Sequence, residues 1–184
     1  VRETFFQAAS ISSSTGFVSA DFDQWPSFSK GILLFLMFCG GCAGSTAGGL
    51  KVTRLMLLMK TMRSVVQQKL SPRRVVQVHS NGEDYNEEIL YGVARFFVAY
   101  VILDILWTVL FIGDGVPTLD AIGLSVSTMG SCGPAFGTVG PTCTYAELPV
   151  FSKVIVCISM LMGRLEMFPV LALLMPSFWR HSNW

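Results

Sequence analysis

Apolar positions in this chain gather into runs of membrane length, separated by short polar or glycine-rich stretches. The first, FSKGILLFLMFCGGCAGSTAGGL, covers residues 28–50. About 20 apolar residues suffice to cross the hydrocarbon of a bilayer. The run continues into KVTRLMLLMKTMRSVVQQKL, residues 51–70, where apolar and basic positions interleave at helical spacing until Ser71-Pro72 ends the pattern. Residues 71–80 (SPRRVVQVHS) alternate enough to allow a short strand, and residues 79–88 (HSNGEDYNEE) are polar, with a turn signal at Asn81-Gly82. Residues 89–112, ILYGVARFFVAYVILDILWTVLFI, read as the clearest spanning helix, stopped by Gly113-Asp114-Gly115 and Pro117. Residues 118–130, TLDAIGLSVSTMG, are semi-apolar and too short to span, and SCGPAFGTVGP after them is too rich in Gly and Pro for a helix. Residues 149–175, PVFSKVIVCISMLMGRLEMFPVLALLM, predict another spanning helix.

Composition agrees with an all-α membrane protein. Of 184 residues, 52% are hydrophobic and 14% charged, with mean hydropathy +0.56; a soluble domain carries about 25% charge. The net charge of +1 is less informative than its distribution. Seven of the thirteen Lys and Arg (Lys51, Arg54, Lys60, Arg63, Lys69, Arg73, Arg74) lie in one window. Nucleic-acid binding is set aside for this window, because it directly follows a membrane-length segment. The positive-inside rule makes it cytoplasmic, with Arg180 and His181 on the same side. Asp21, Asp23, Asp114, Asp120 and Glu147 then fall outside, either as an acidic mouth that attracts cations or as scattered solvated acids. Five cysteines without regular spacing do not form a disulfide framework. The chain opens at Val1 in mid-pattern with no secretory signal, as a piece of a longer protein would.

The chain also repeats itself. Phe28-Ser29-Lys30 begins one long apolar segment and Phe151-Ser152-Lys153 another. Upstream of each lies a short amphipathic segment and a polar turn containing glycine. Setting Thr15-Gly16 against Cys132-Gly133 also pairs Ser10 with Ser127 and Ser14 with Ser131, with six extra residues in the second copy. Irregular backbone at membrane depth survives only when buried in protein or lining a water-filled path. A short helix dipping in and an extended turn climbing out is a pore loop, whose carbonyls can replace an ion's hydration shell.

On SSSTGF (12–17), GGCAGSTAGGLK (40–51), SCGP (131–134) and MGRLEMF (162–168), the chain resembles the carboxy-terminal half of the bacterial TrkH family, within the Trk/Ktr/HKT superfamily of potassium transporters. The resemblance covers essentially the whole chain. It implies helix–pore-loop–helix repeats of K⁺-channel type, four around one ion path. Residues 1–70 would be the third repeat without its first helix, with a pore loop at 5–20 and a broken second helix at 28–70. Residues 71–88 would be a cytoplasmic connection. Residues 89–184 would be a complete fourth repeat, with helices at 89–112 and 149–175 and a pore loop at 118–140. Ser14, Thr15, Gly16 and Phe17 would then supply one K⁺ filter strand, and Ser131, Cys132, Gly133 and Pro134 another. Each strand has one key glycine, unlike TVGYG, which leaves the degree of K⁺ over Na⁺ selectivity open. Two strands do not close a pore.

The stretch CGGCAGSTAGGLK (39–51) also resembles a phosphate-binding loop, yet Leu50 separates the last glycine from Lys51, and no strand precedes it. Cys39 and Cys42 lack a second ligand pair for zinc. Five glycines in ten residues, each costing about 1 kcal/mol against Ala in a helix, predict a break in the helix inside the membrane; close helix packing by small residues is the competing reading. Aligning the two FSK triplets sets Arg164 opposite Gly41, each eleven residues past its Lys; at about 1.5 Å per residue that is roughly 16 Å inward. An Arg there needs a partner. Carbonyls freed by the unwound loop can serve, and a salt bridge to Glu166 or another helix is the alternative. By resemblance, Gly40, Gly41, Cys42, Ala43, Gly44, Ser45, Thr46, Ala47, Gly48 and Gly49 form a gate inside the filter, and Arg164 a barrier to cations.

Arg95 and Asp104 lie within the span 89–112. Arg95 is near enough to its inner end to snorkel. Asp104 is deeper and calls for a partner, an Arg or a hydroxyl in the absent half; structural pairing is the preferred role for both. No covalent chemistry or cofactor is implied, and K⁺ is the transported ion, bound at the filter residues alone. The resemblance implies a multi-pass subunit of the bacterial inner membrane with pore-loop mouths outside. It implies an amino-terminal half with two further repeats, a homodimer, and a cytoplasmic ring of nucleotide-binding regulatory subunits; the basic window would dock that ring or meet anionic lipid. It leaves open whether H⁺ or Na⁺ enters by symport. The rival classes are a membrane scaffold without an ion path and a membrane enzyme using the glycine loop and thiols.

Overall fold

The computed structural model describes residues 1–41, 48–70, 78–80, 83–85, 87–165 and 167–174. Among these residues the helices are α1 (Arg2–Ser12), α2 (Ser27–Cys39), α3 (Val52–Leu70), α4 (Glu87–Gly113), α5 (Thr118–Met129), α6 (Val150–Arg164) and α7 (Met167–Leu174). Single 3-10 turns occupy Phe22–Gln24, Gly137–Val139 and Tyr145–Glu147. The connection between α3 and α4 contains a small hairpin, β1 (Val78–Ser80) and β2 (Glu83–Tyr85), antiparallel with Val78 opposite Tyr85. The fold is therefore helical apart from these two short strands. The turn signal at 81–82 lies outside the described residues.

Both long runs that flank α4 are interrupted. The stretch 28–50 is not one helix: α2 stops at Cys39, where Gly40 takes φ +67°, and helix resumes only at Val52. The run expected as one helix over 149–175 is likewise two, α6 and α7, with Leu165 outside both. Pro169 explains the second break. As the third residue of α7 it needs no intrahelical donor, but its ring excludes the carbonyl four residues back, at Leu165, from a continuous helix. Among the described residues, only Glu88–Gly113 is a single helix long and apolar enough to cross a membrane.

The centre of the molecule is α5. It is too short to span, and it packs against α4, α6 and α2. Every residue from Gly123 to Met129 is buried, including Ser125, Ser127 and Thr128 at 0% exposure. A helix wrapped on all sides must satisfy its polar side chains internally. Ser125 Oγ donates to the Asp104 backbone carbonyl (2.9 Å) and carboxylate Oδ1 (2.6 Å), and Thr128 Oγ1 donates to the Ser125 carbonyl (3.0 Å). Asp104 thus has its partner within this chain rather than in an absent half. Arg95 Nε reaches one turn back to the Tyr91 carbonyl, toward the start of α4, as snorkelling requires. Outward, α4 exposes Val98, Ile102, Ile105, Leu106 and Val109, an apolar face suited to a hydrocarbon solvent.

Four of the five acids expected outside hold loops; Asp21 caps the Phe22–Gln24 turn, accepting from the Asp23 amide (3.1 Å). Asp114 Oδ2 accepts from the Ser152 amide (2.9 Å) and hydroxyl (2.5 Å) in the first turn of α6, where the helix dipole favours a negative charge. Asp23 pairs with Lys30 (2.8 Å) and accepts from the Gly137 amide (3.1 Å), while Asp120 accepts from the Thr138 amide (3.0 Å). These carboxylates are engaged by protein donors, which counts against reading them as free mouth charges.

Replacing Ser125 by Ala leaves the half-buried Asp104 carboxyl without its donor, a loss of about 1 kcal/mol. Thermal unfolding of the full-length protein in detergent is expected at a lower midpoint for Ser125→Ala, and the Ser125→Ala/Asp104→Leu pair is expected to cost less than the sum of the single changes. Unchanged midpoints would show that the contact carries no stability.

Candidate functional site

The two turns aligned in sequence follow one backbone course. At the end of α1, the Ser14 amide donates to the Ile11 carbonyl (3.0 Å) and the Thr15 amide to the Ser10 carbonyl (2.9 Å). At the end of α5, Ser131 donates to Thr128 (3.1 Å) and Cys132 to Ser127 (3.0 Å). Each pair is a Schellman closure, which needs a residue with positive φ just past the helix. Here that residue is serine both times, Ser14 at φ +52° and Ser131 at φ +54°. A left-handed non-glycine costs on the order of 1 kcal/mol and persists where the surroundings over-determine it. Two residues on, Gly16 (φ +75°) and Gly133 (φ +103°) are again left-handed. The alternation leaves both helix and strand hydrogen bonding, so the carbonyls of each segment must find other partners. The serine at the third position from each helix end supplies one: Ser10 Oγ donates to the Phe17 carbonyl (2.7 Å) and Ser127 Oγ to the Pro134 carbonyl (2.8 Å).

The parallel continues past the turns. Phe22–Gln24 and Tyr145–Glu147 are 3-10 turns in register, followed by Pro26 and Pro149 as the residues preceding α2 and α6. Lys30 Nζ reaches back to Asp23, and Lys153 Nζ reaches back to the carbonyl of the equivalent Ala146 (2.8 Å). The longer second copy holds the 3-10 turn Gly137–Val139, closed by the Ala135 amide on the Val139 carbonyl (2.9 Å).

The two turns also touch. A Cβ on Gly16 would collide with the Cys132 carbonyl, and Cys132 Sγ lies 3.6 Å from the Ile11 carbonyl oxygen as its donor. Around them Ile11, Phe22, Leu33, Met37, Val126, Cys132 and Phe136 form one buried cluster, with Phe22 edge-on to Phe136 at 5.6 Å. In the second copy the Tyr145 hydroxyl donates to the Gly133 carbonyl. Burial pushes that phenol up to about 12, so it remains a donor throughout the physiological range.

Two further segments converge beside these turns. The stems of the glycine loop are braced, with Leu50 donating to the Phe38 carbonyl (3.4 Å) and Val52 to the Gly41 carbonyl (3.1 Å). Gly48 sits so close to Gly130 and Ser131 that a Cβ there would stand 2.9 Å from each. From the other side, Gly163 packs on the Met129 carbonyl, where no Cβ fits, and Arg164 follows as the last residue of α6. The loop stem and the backbone preceding Arg164 thus both rest on the C-terminal end of α5. Residues 42–47 of the expected gate, together with Glu166, lie outside the described residues. Cys39, Cys132, Cys143 and Cys157 are free thiols, and no group of three or more His, Cys, Asp or Glu gathers as a metal site among the described residues.

Sequence reasoning brought the two turns into register but missed three features. The left-handed serines are unusual enough for a glycine- or asparagine-preferring position that composition hides them. Ser125 as the partner of Asp104, and Tyr145 on Gly133, carry no local signal at all.

A sequence model of the TrkH family, described as cation transport protein, matches residues 1–181. The Trk system potassium uptake protein TrkH of Halomonas elongata is 37% identical over 180 residues, 98% of this chain and 37% of that protein. TrkG of Escherichia coli, also a Trk system potassium uptake protein, is 30% identical over 177 residues, 96% of this chain and 36% of that protein. The crystal structure of the potassium transporter TrkH from Vibrio parahaemolyticus superposes with a TM-score of 0.88 at 35% identity, covering 97% of this chain and 38% of that one. The chain therefore spans little more than a third of the relatives it matches. By sequence and by fold it belongs to the TrkH family of cation transport proteins, a family of transporters and not of enzymes.

Proposed function

We propose that this chain supplies the pore loop and second helix of the third pore repeat, and the fourth pore repeat, of the ion-conducting subunit of a potassium uptake system in a bacterial inner membrane. The observation that carries the reading is the pair of matched, mutually contacting turns at Ser14–Phe17 and Ser131–Pro134. Each follows a short helix whose C-terminal end presents roughly half a negative charge, favourable to a dehydrating cation. Each has a backbone whose carbonyls can act as ligands. Two further strands come from the remainder of the full-length protein. The acids bound into loops leave selectivity to the carbonyls rather than to a ring of carboxylates.

The glycine-rich segment 40–49 serves as the gate and Arg164 as the electrostatic barrier next to it. Both adjoin the same end of α5, through Gly48 and Gly163, so a shift of either changes the space just inside the filter. The helix α3 leads away from the loop with Arg54, Lys60, Arg63 and Lys69 along it, and Arg54 stacks on the Phe96 ring of α4 at 4.1 Å. A cytoplasmic nucleotide-binding ring acting on this basic helix has a direct mechanical route to the gate. Assembly is as a homodimer.

Two measurements on the full-length protein in liposomes test the reading. Gly16→Ala or Gly133→Ala puts a side chain into a left-handed position and is expected to lower Rb⁺ over Na⁺ selectivity about tenfold; unaltered selectivity in both variants would remove the filter assignment and favour a scaffold. Arg164→Ala, and separately deletion of 43–47, is expected to raise K⁺ flux several-fold to about tenfold as a mid-membrane charge or obstruction is lost. Flux equal to wild type in both would end the gate assignment.

A further inference from the structure

We propose that Tyr145 is a selectivity-determining residue of the fourth filter strand, setting through its hydroxyl the strength with which the Gly133 carbonyl can bind a cation. The inference rests on the filter reading above and adds a residue outside the aligned turn. The Tyr145 hydroxyl donates to the Gly133 carbonyl, in the strand where Ser127 Oγ donates to the next carbonyl, that of Pro134. Two consecutive carbonyls are thus held by side chains from the protein. In the third strand the serine is kept, as Ser10 on the Phe17 carbonyl, but the residue in register with Tyr145 is Phe22, whose ring has no hydroxyl. Phe22 is fully buried against Phe136 instead. The two strands follow one backbone course, and a hydroxyl donor to the glycine carbonyl from this 3-10 turn is present in the fourth strand and not in the third.

That difference has a chemical consequence. A carbonyl oxygen has two lone pairs. Once one is engaged by a phenol, the oxygen is less free to move and presents a weaker field to an ion. Weaker-field ligands favour the larger, more easily dehydrated cation, so the Tyr145 contact tilts this position toward K⁺ and away from Na⁺. The phenol is a donor at all physiological pH values, since a phenol ordinarily ionises at about 10 and burial pushes this one further up, to about 12. Gly133 itself has open space where a Cβ would be, so its carbonyl is not positioned by crowding at the α-carbon, unlike Gly16 against Cys132.

The test uses the full-length protein, purified and reconstituted, with Rb⁺ and Na⁺ uptake measured side by side. Tyr145→Phe, which gives the fourth strand the third strand's residue type, is expected to lower the Rb⁺ to Na⁺ ratio about two- to tenfold, the weight of one hydrogen bond. Ring-fluorinated tyrosine at 145, a stronger donor of nearly the same shape, is expected to move the ratio the other way. Gly133→Ala is the control for the filter itself. If Gly133→Ala alters the ratio while Tyr145→Phe and the fluorinated residue leave it at the wild-type value, the filter stands and the role of Tyr145 is overturned. If Gly133→Ala also leaves it unchanged, the filter reading fails and this inference with it. A shift of the same sign for Tyr145→Phe and the fluorinated residue would likewise overturn it, since a steric effect and not the donor would then be responsible.

Discussion

The structure depends on backbone approaching backbone at the C-terminal end of α5. Met129, Gly130 and Ser131 are contacted there by Gly163 from α6, by the Met37 carbonyl from α2 and by Gly48 from the loop stem, at separations that leave no room for a Cβ. Side chains cannot mediate such an approach. Each contact needs glycine on at least one side, and the elements so joined cannot move independently without opening voids in a close-packed interior. The end of α5 is also where its irregular turn begins, so the constraint on packing and the constraint on the turn are one.

From that junction the rest follows. The helix α5 has to be buried on all sides to bring its end so deep, and burial on all sides forces its hydroxyls to find partners, which fixes Asp104 on α4 as the acceptor for Ser125. The turn then leaves helix geometry through a left-handed serine, and the serine at the third position from the helix end returns to hold a carbonyl beyond the glycine. The first copy solves the same problem with the same residues, which is why α1 and α5 end alike although they share few apolar side chains. Further out, a carboxylate joins the copies alongside the Phe22–Phe136 contact: Asp23 binds Lys30 of its own copy and the Gly137 amide of the other.

Much of this was legible in the chain. The apolar runs, the two FSK starts, the matched serines and glycines and the six-residue excess were all read correctly as positions, because each is a local property of composition or spacing. The breaks were legible unevenly. Glycine density announced the interruption after Cys39, whereas the one at Leu165 depends on a single Pro169 acting on the carbonyl four residues back, and the apolar pattern over 149–175 continues through it undisturbed. The acids illustrate the opposite failure. As sequence they are five charges on one side, and only folding shows that Asp114 accepts from Ser152, 38 residues on, and Asp23 from the Gly137 amide, 114 residues on.

What the sequence by itself determined is the class of molecule and its internal order: a helical membrane chain with two copies of short segment, glycine turn and long segment, recognisable because hydrophobic length, turn chemistry and repetition are all one-dimensional. What only the tertiary structure decided is which atoms meet. That Ser125 answers Asp104, that Gly48 and Gly163 meet the same end of α5, and that Tyr145 but not Phe22 carries a donor to its strand are facts about pairs far apart in the chain. Hydrogen bonds and close contacts act over a few ångströms of space. No spacing along a sequence encodes them until the packing of the helices has set which distant residues become neighbours.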